Sequence, residues 1–196
     1  MKKGELRKQQ LLQIAYGMFL SKGYENTSVD EIIAEANIAK GTYYYYFESK
    51  EQMLEEVIEM MLAEETARAQ QVLSSELDVP QKIMGIIASL RPSQEEAPIE
   101  DALNKPENIL MHRKINQKLL DMIVPLLSEA VSEGAQKGIF SCNHIPERVR
   151  MLMMLSTELF DEGSFTSNEV EVFIDMTEKL LGAEPGSMNF IRQLIR

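Results

Sequence analysis

Ala39-Lys40-Gly41-Thr42-Tyr43-Tyr44-Tyr45-Tyr46-Phe47 is the stretch whose reading decides the fold. Its four successive tyrosines stand out in a chain whose formal net charge is −11. Wound as a helix at about 100° per residue, the segment divides into two faces. Ala39, Tyr43 and Phe47 fall on one side and are expected to anchor the helix to a core. Gly41, Thr42, Tyr44 and Tyr45 face away, with Tyr46 on the border. A phenol donates a hydrogen bond to phosphate, and its ring packs against sugars or a thymine methyl. Tyrosine is also common in protein interfaces, so the neighbouring residues must decide between the two.

Upstream, Ser28-Val29-Asp30-Glu31 has the Ser-x-x-Glu form of a capping box, which starts a helix by satisfying its free N–H groups reciprocally. Val29, Ile32, Ile33 and Ala36 supply the apolar stripe of a short helix ending near Glu35. Asn37 follows, a residue tolerant of the left-handed backbone of a tight turn, and Ile38 can plug the corner. A second box, Ser49-Lys50-Glu51-Gln52, stops the tyrosine helix and opens a long one. Two short helices joined by so short a turn have the spacing of a helix-turn-helix.

Leu11, Ile14, Ala15, Met18 and Phe19 recur at helical spacing before Gly23, which completes a three-helix unit. From Leu11 to Leu54 the chain resembles the N-terminal domain of the TetR (tetracycline-repressor-like) regulators. The residues carrying the resemblance include Ala15, Phe19, Gly23, Tyr24, Thr27-Ser28-Val29, Ile32, Ala36, Ile38, Lys40-Gly41-Thr42, Tyr44, Tyr46-Phe47, Lys50-Glu51 and Leu54. Two positions depart from the family pattern. Tyr43 stands where an aliphatic residue is usual, and should fill the core with its hydroxyl at the edge. Tyr45 occupies the variable position after Tyr44, and bears on which operator is read.

The resemblance implies sequence-specific DNA binding, with roles that follow from the helix faces. Ser28 and Val29 in the first turn of one helix, with Tyr44, Tyr46 and Lys50, would hold phosphates. Lys40, Thr42 and Tyr45 would approach base edges, and Gly41 would permit close backbone approach. Lys40 and Lys50 each lie in a first helical turn, where the dipole and free N–H groups also favour phosphate. Lys2, Lys3, Arg7 and Lys8 are further candidates for tracking the backbone or entering a minor groove.

Charge is distributed unevenly. Residues 1–50 hold seven Lys/Arg and six acids, leaving −12 for residues 51–196. A pI near 4.8 excludes a protein that coats nucleic acid without specificity, but not a reader whose positive charge sits at one end. A mean hydropathy of −0.20 with 44% hydrophobic residues describes a globular chain. The single cysteine, Cys142, excludes an intramolecular disulfide framework and suits the cytoplasm. Polar residues interrupt the first twenty after Met-Lys-Lys, so neither a signal-peptide core nor a membrane span is expected.

The remainder reads as helix throughout, giving an all-α fold: a helix-turn-helix domain over 1–48 and a helical effector-binding and dimerisation domain over 49–196. Long helices are expected from Ser49 to about Ser75 and from beyond Pro106 to about Lys137, with Pro125 kinking or breaking the latter. Asp78-Val79-Pro80, Ile145-Pro146 and Thr166-Ser167-Asn168-Glu169 open others. Met151-Leu-Met-Met-Leu155 places five large apolar residues in succession, more than one amphipathic face can bury. The resemblance implies a homodimer through the helices near 146–160 and 167–182, where a two-fold pair reads a palindrome.

Thirteen methionines, adaptable in shape, point to a hydrophobic effector pocket. Its candidate residues are Met61, Met84, Met111, His112, Ile115 and Met154. No catalytic residue, cofactor or metal is expected. Cys142-Asn143-His144 is too small a set for a closed zinc site, and Gly134-x-x-x-Gly138 lacks the Lys-Ser/Thr of a phosphate loop. These features together describe a dimeric, DNA-binding transcriptional regulator, a repressor released from its operator by a small, partly hydrophobic effector. The competing reading is an acidic helical adaptor that has kept the fold and binds protein.

Overall fold

The computed structural model describes residues 3–91, 93–160 and 165–195, and no strand occurs among them. Nine α-helices follow in order: α1 (Lys3–Lys22), α2 (Val29–Glu35), α3 (Lys40–Tyr46), α4 (Lys50–Leu73), α5 (Val79–Ala88), α6 (Ala97–Leu103), α7 (Ile109–Gln136), α8 (Ile145–Phe160) and α9 (Ser167–Leu181). Short 3-10 turns occupy Gln94–Glu96, Pro106–Asn108 and Asn189–Gln193. The chain divides into two compact units, 1–64 with 92–117, and 65–91 with 118–196.

Local chemistry sets most of the helix boundaries. Ser28 caps α2: its hydroxyl accepts from the Glu31 N–H at 3.2 Å, and the Glu31 carboxylate accepts from the Ser28 N–H at 2.7 Å. Asp78 with Gln81 and Thr166 with Glu169 build the same box before α5 and α9. At α4 the box is only half of the expected form. Ser49 accepts from the Gln52 N–H at 3.1 Å, but the Gln52 side chain accepts from Glu48, at 2.6 Å. Asn37 turns the corner between α2 and α3 at φ 48°. Gly182 ends α9 at φ 62°, where a Cβ would overlap the Ser141 carbonyl.

Pro125 does not split α7, which runs unbroken from Ile109 to Gln136. Pro125 sits on the solvent-exposed face of α7, where the N–H that a proline lacks costs least.

In the first unit, Leu11, Ala15 and Phe19 of α1, Ile32 of α2, and Tyr43 of α3 are all fully buried. The segment 92–117 joins this unit through burial of Ile99 and Ala102 of α6 and through polar links. The Tyr16 hydroxyl donates to Glu96 at 3.1 Å, and Lys105 pairs with Glu25 at 2.9 Å. Partial burial, then the Glu96 carboxylate, pushes the Tyr16 phenol up to about 12.

The second unit has its own core, drawn from α5, the C-terminal parts of α4 and α7, and from α8 and α9. Lys82 enters it as an ion pair with Glu133 at 2.8 Å. On α9, Val170, Phe173, Ile174 and Leu181 face inward. Apolar side chains also stand uncovered among polar ones on the outer sides of α8 and α9: Met151 is 62% exposed, Met154 53% and Val172 56%.

Candidate nucleic-acid interface

The register of α3 separates its aromatic residues. Tyr43 and Phe47 are 0% exposed, whereas Tyr45 is 80% and Tyr44 50% exposed. Tyr46 is half-buried, as its border position predicts. The Tyr43 hydroxyl reaches the edge of the core and donates to the Ser49 carbonyl at 3.3 Å. Burial chiefly, with help from Tyr44 and Glu51, pushes that phenol up to about 12. One expectation fails here. Ala39 is exposed, not an anchor, because it is the extended N-cap of α3 (ψ 148°) and lies outside the helical register.

The outward phenols are held in place. Tyr43 and Tyr44 meet edge-on with ring centres 5.3 Å apart, and Tyr45 and Tyr46 at 4.9 Å. Such pairs are worth roughly 0.5–1.5 kcal/mol beyond area burial. The exposed hydroxyls are therefore offered from a stiff rod, which lowers the ordering cost of any contact they make. Beside them Gly41 is exposed, and nothing lies within 4 Å of where its Cβ would stand. Thr42 is half-buried in the same turn.

The cations are less free than the sequence implies. Lys40 lies 3.0 Å from Asp30 of α2, and this carboxylate raises the pKa of its ammonium. Lys50 is turned inward: its ammonium donates to the Tyr24 carbonyl at 3.0 Å and the Thr27 carbonyl at 3.1 Å. It also lies over the Tyr24 ring, 4.1 Å from the centroid. Lys50 thus ties the α1–α2 loop to the start of α4. Ser28 is likewise engaged with Glu31, and Val29 is half-buried behind it. Lys8 pairs with Glu56 at 2.5 Å, and Arg7 donates to Gln10 at 3.2 Å. Lys2 and the side chain of Lys3 lie outside the described residues.

Sequence reasoning missed Asp30, Tyr24 and Thr27 as partners of these cations. Asp30 was legible as an acid in the first turn of a helix. The two carbonyl acceptors carried no side-chain signal at all.

The candidate effector residues are divided between the two units. Met61, Met111, His112 and Ile115 belong to the first unit, and Met84 and Met154 to the second. His112 is half-buried and meets Asn116 at 3.1 Å through its Nε2. None of the six lines the apolar cavity of about 130 Å³ inside the second unit, whose methionines are Met153 and Met188. Cys142 is a free thiol, and no group of three His, Cys, Asp or Glu suited to a metal occurs among the described residues. No helix among them is long and apolar enough to cross a membrane.

A rod of outward phenols on a short second helix, seated by a buried face and flanked by a cation, is a shape for the major groove. The family model for bacterial regulatory proteins of the tetR family matches residues 11–57, the three helices that carry this surface. Residues 11–57 of this chain form a TetR-family DNA-binding domain. It is a DNA-binding transcriptional regulator, from a family of regulators and not of enzymes.

Among curated relatives, this TetR-family chain is 28% identical over 174 residues to the HTH-type transcriptional repressor KstR2 of Mycolicibacterium smegmatis, covering 83% of each. Solved structures share its fold. A transcriptional regulator from Cytophaga hutchinsonii superposes with a TM-score of 0.62 at 18% identity, over 92% of this chain and 96% of that one. RolR, solved in complex with resorcinol, gives a TM-score of 0.62 at 19% identity, over 98% and 94%.

Proposed function

We propose that this TetR-family regulator is a homodimeric repressor that holds a palindromic operator until a small, partly hydrophobic effector releases it. The observation that carries the DNA-reading part is the split of α3, with Tyr43 and Phe47 sealed in the core and Tyr44 and Tyr45 presented outward. A single seven-residue recognition helix makes few base contacts. Pairing two of them about a two-fold axis doubles the reading and fixes half-site spacing near 34–36 Å.

Dimerisation is supported by the apolar side chains left uncovered on α8 and α9. Met151 and Met154 repeat at i and i+3, and Val172 and Met176 at i and i+4, each a stripe on one helix face. Four large apolar side chains left in water favour a second copy as cover. Glutamate in place of both Met154 and Val172 should yield monomers by light scattering. A wild-type chain that is itself monomeric at micromolar concentration would refute the dimer.

The repressor sense is supported by the likeness to KstR2, and the effector by the apolar interior of the second unit; RolR, of the same fold, was solved with a small phenolic ligand. An effector acts only through differential affinity for the DNA-competent and incompetent dimers. Selection from random oligonucleotides at low salt tests the whole reading. Enrichment of a two-fold-symmetric sequence is expected, and an unenriched pool would hand the lead to the adaptor alternative.

A further inference from the structure

The second unit contains a partly open cavity of about 130 Å³ between Ile83 of α5, Leu127 of α7, Leu152 of α8 and Phe173 of α9. Its fifth wall is the segment around the 3-10 turn Asn189–Gln193, through Met188, Ile191, Leu194 and Ile195. No lining side chain carries a charge, and hydroxyls enter only at Ser156 and Thr177. The Thr177 hydroxyl is already engaged, donating to the Phe173 carbonyl at 2.7 Å. An apolar cavity of about 150 Å³ stays dry and takes up benzene or xenon, so this volume suits one aromatic ring. A charged ligand group would be buried here without a partner, which costs several kcal/mol or more.

The five walls are not equally fixed. Four are α-helices of ten residues or more, whereas the fifth contains a five-residue 3-10 turn. That turn is fastened to α9 at two points. The Met188 N–H donates to the buried Glu178 carboxylate at 3.1 Å, and the Arg192 guanidinium forms a bidentate ion pair with Glu171 at the surface. An exposed ion pair contributes little to stability, so the Arg192 end of the fifth wall opens at less cost than the end held by Met188 and the buried Glu178.

We infer that this cavity is a binding site for an uncharged, monocyclic apolar molecule, admitted by displacement of the 188–195 segment. The inference rests on the reading of the chain as an effector-responsive regulator, and gives its effector a chemical class and a location.

The full chain labelled with ¹³C at the methionine methyls supplies the test, because Met153 and Met188 line the cavity and the other described methionines do not. Met153→Leu and Met188→Leu identify the two signals. Titration with toluene or phenol should shift both, saturably, and leave Met61, Met84 and Met111 in place. Benzoate should shift neither. Ser156→Phe, placed to fill the cavity, should abolish the response, with Val131→Phe as a second such variant should the first not fold. Glu171→Gln, which releases Arg192, should raise the toluene exchange rate several-fold.

Absence of any shift with toluene and phenol, or an equal response to benzoate, would overturn the proposal. The same compounds added to the protein on its selected operator separate the two readings. Binding at Met153 and Met188 that leaves DNA bound supports the site and removes the effector role. Release of DNA by toluene or phenol with those two methyls undisturbed overturns the site and keeps the effector role.

Discussion

Lys40 and Asp30 meet across the corner of the helix-turn-helix, ammonium to carboxylate at 3.0 Å, so a cation proposed to contact DNA is already held by an acid of the preceding helix. DNA must compete with Asp30 for Lys40. Both side chains are mostly exposed, and such pairs are worth about 0.2–1 kcal/mol. Asp30→Asn should therefore tighten binding to every sequence, by up to roughly fivefold, since 1.4 kcal/mol is tenfold. A salt titration by fluorescence anisotropy checks this; unchanged affinity would remove Lys40 from the interface.

Neighbouring tyrosines should behave oppositely. Tyr45 is 80% exposed, so Tyr45→Ala should lower the melting temperature by no more than its edge-on contact with Tyr46 supplies, while costing about 1–3 kcal/mol of discrimination at one base step. Tyr43 is 0% exposed, so Tyr43→Ala should cost about 3–5 kcal/mol of stability and lose DNA binding through unfolding. Tyr43→Phe removes the bond to the Ser49 carbonyl and the weak one to Met53 Sδ, and should cost about 1 kcal/mol. Thermal unfolding beside a panel of single-base operator variants separates these outcomes.

Lys50 offers a test of structure against contact. Its ammonium satisfies the Tyr24 and Thr27 carbonyls, and Lys50→Ala leaves both without that donor. We expect a loss of about 1–3 kcal/mol in unfolding free energy. If holding the loop is its main role, the salt dependence of DNA binding should keep its slope. A slope shallower by about one ion would instead assign Lys50 to a phosphate.

Acid should loosen the start of α2. The Lys22 ammonium, then the Ser28 N–H and hydroxyl, lower the Glu31 pKa from 4.5 to about 2. A carboxyl whose pKa falls on folding stabilises the native state above its unfolded value and loses that contribution as pH drops through the folded one. Stability should thus decline between pH 4.5 and about 2. Glu31→Gln should flatten the stability profile across that window, measured by urea unfolding at several pH values.

The all-α fold, the capping box at Ser28, the helix starts at Asp78 and Thr166, the left-handed turn at Asn37 and the aromatic split of α3 were legible in the chain. Each depends on residues within a few positions of one another, where helical periodicity and N–H satisfaction act directly. Ala39 was misread, and of the kink or break expected at Pro125 the break did not occur, for a related reason. Periodicity does not announce where a helix begins, and a proline on a solvated face is tolerated.

What the sequence by itself determined is therefore local: which segments are helices, which faces are apolar, and which phenols point outward. Only the tertiary structure decided the partners. Lys50 meets carbonyls 23 and 26 residues away, segment 92–117 joins residues 1–64, and the cavity is closed by residues that follow its other walls in the chain. Such contacts depend on how distant segments converge in space, and backbone acceptors and empty volume leave no mark in a residue pattern.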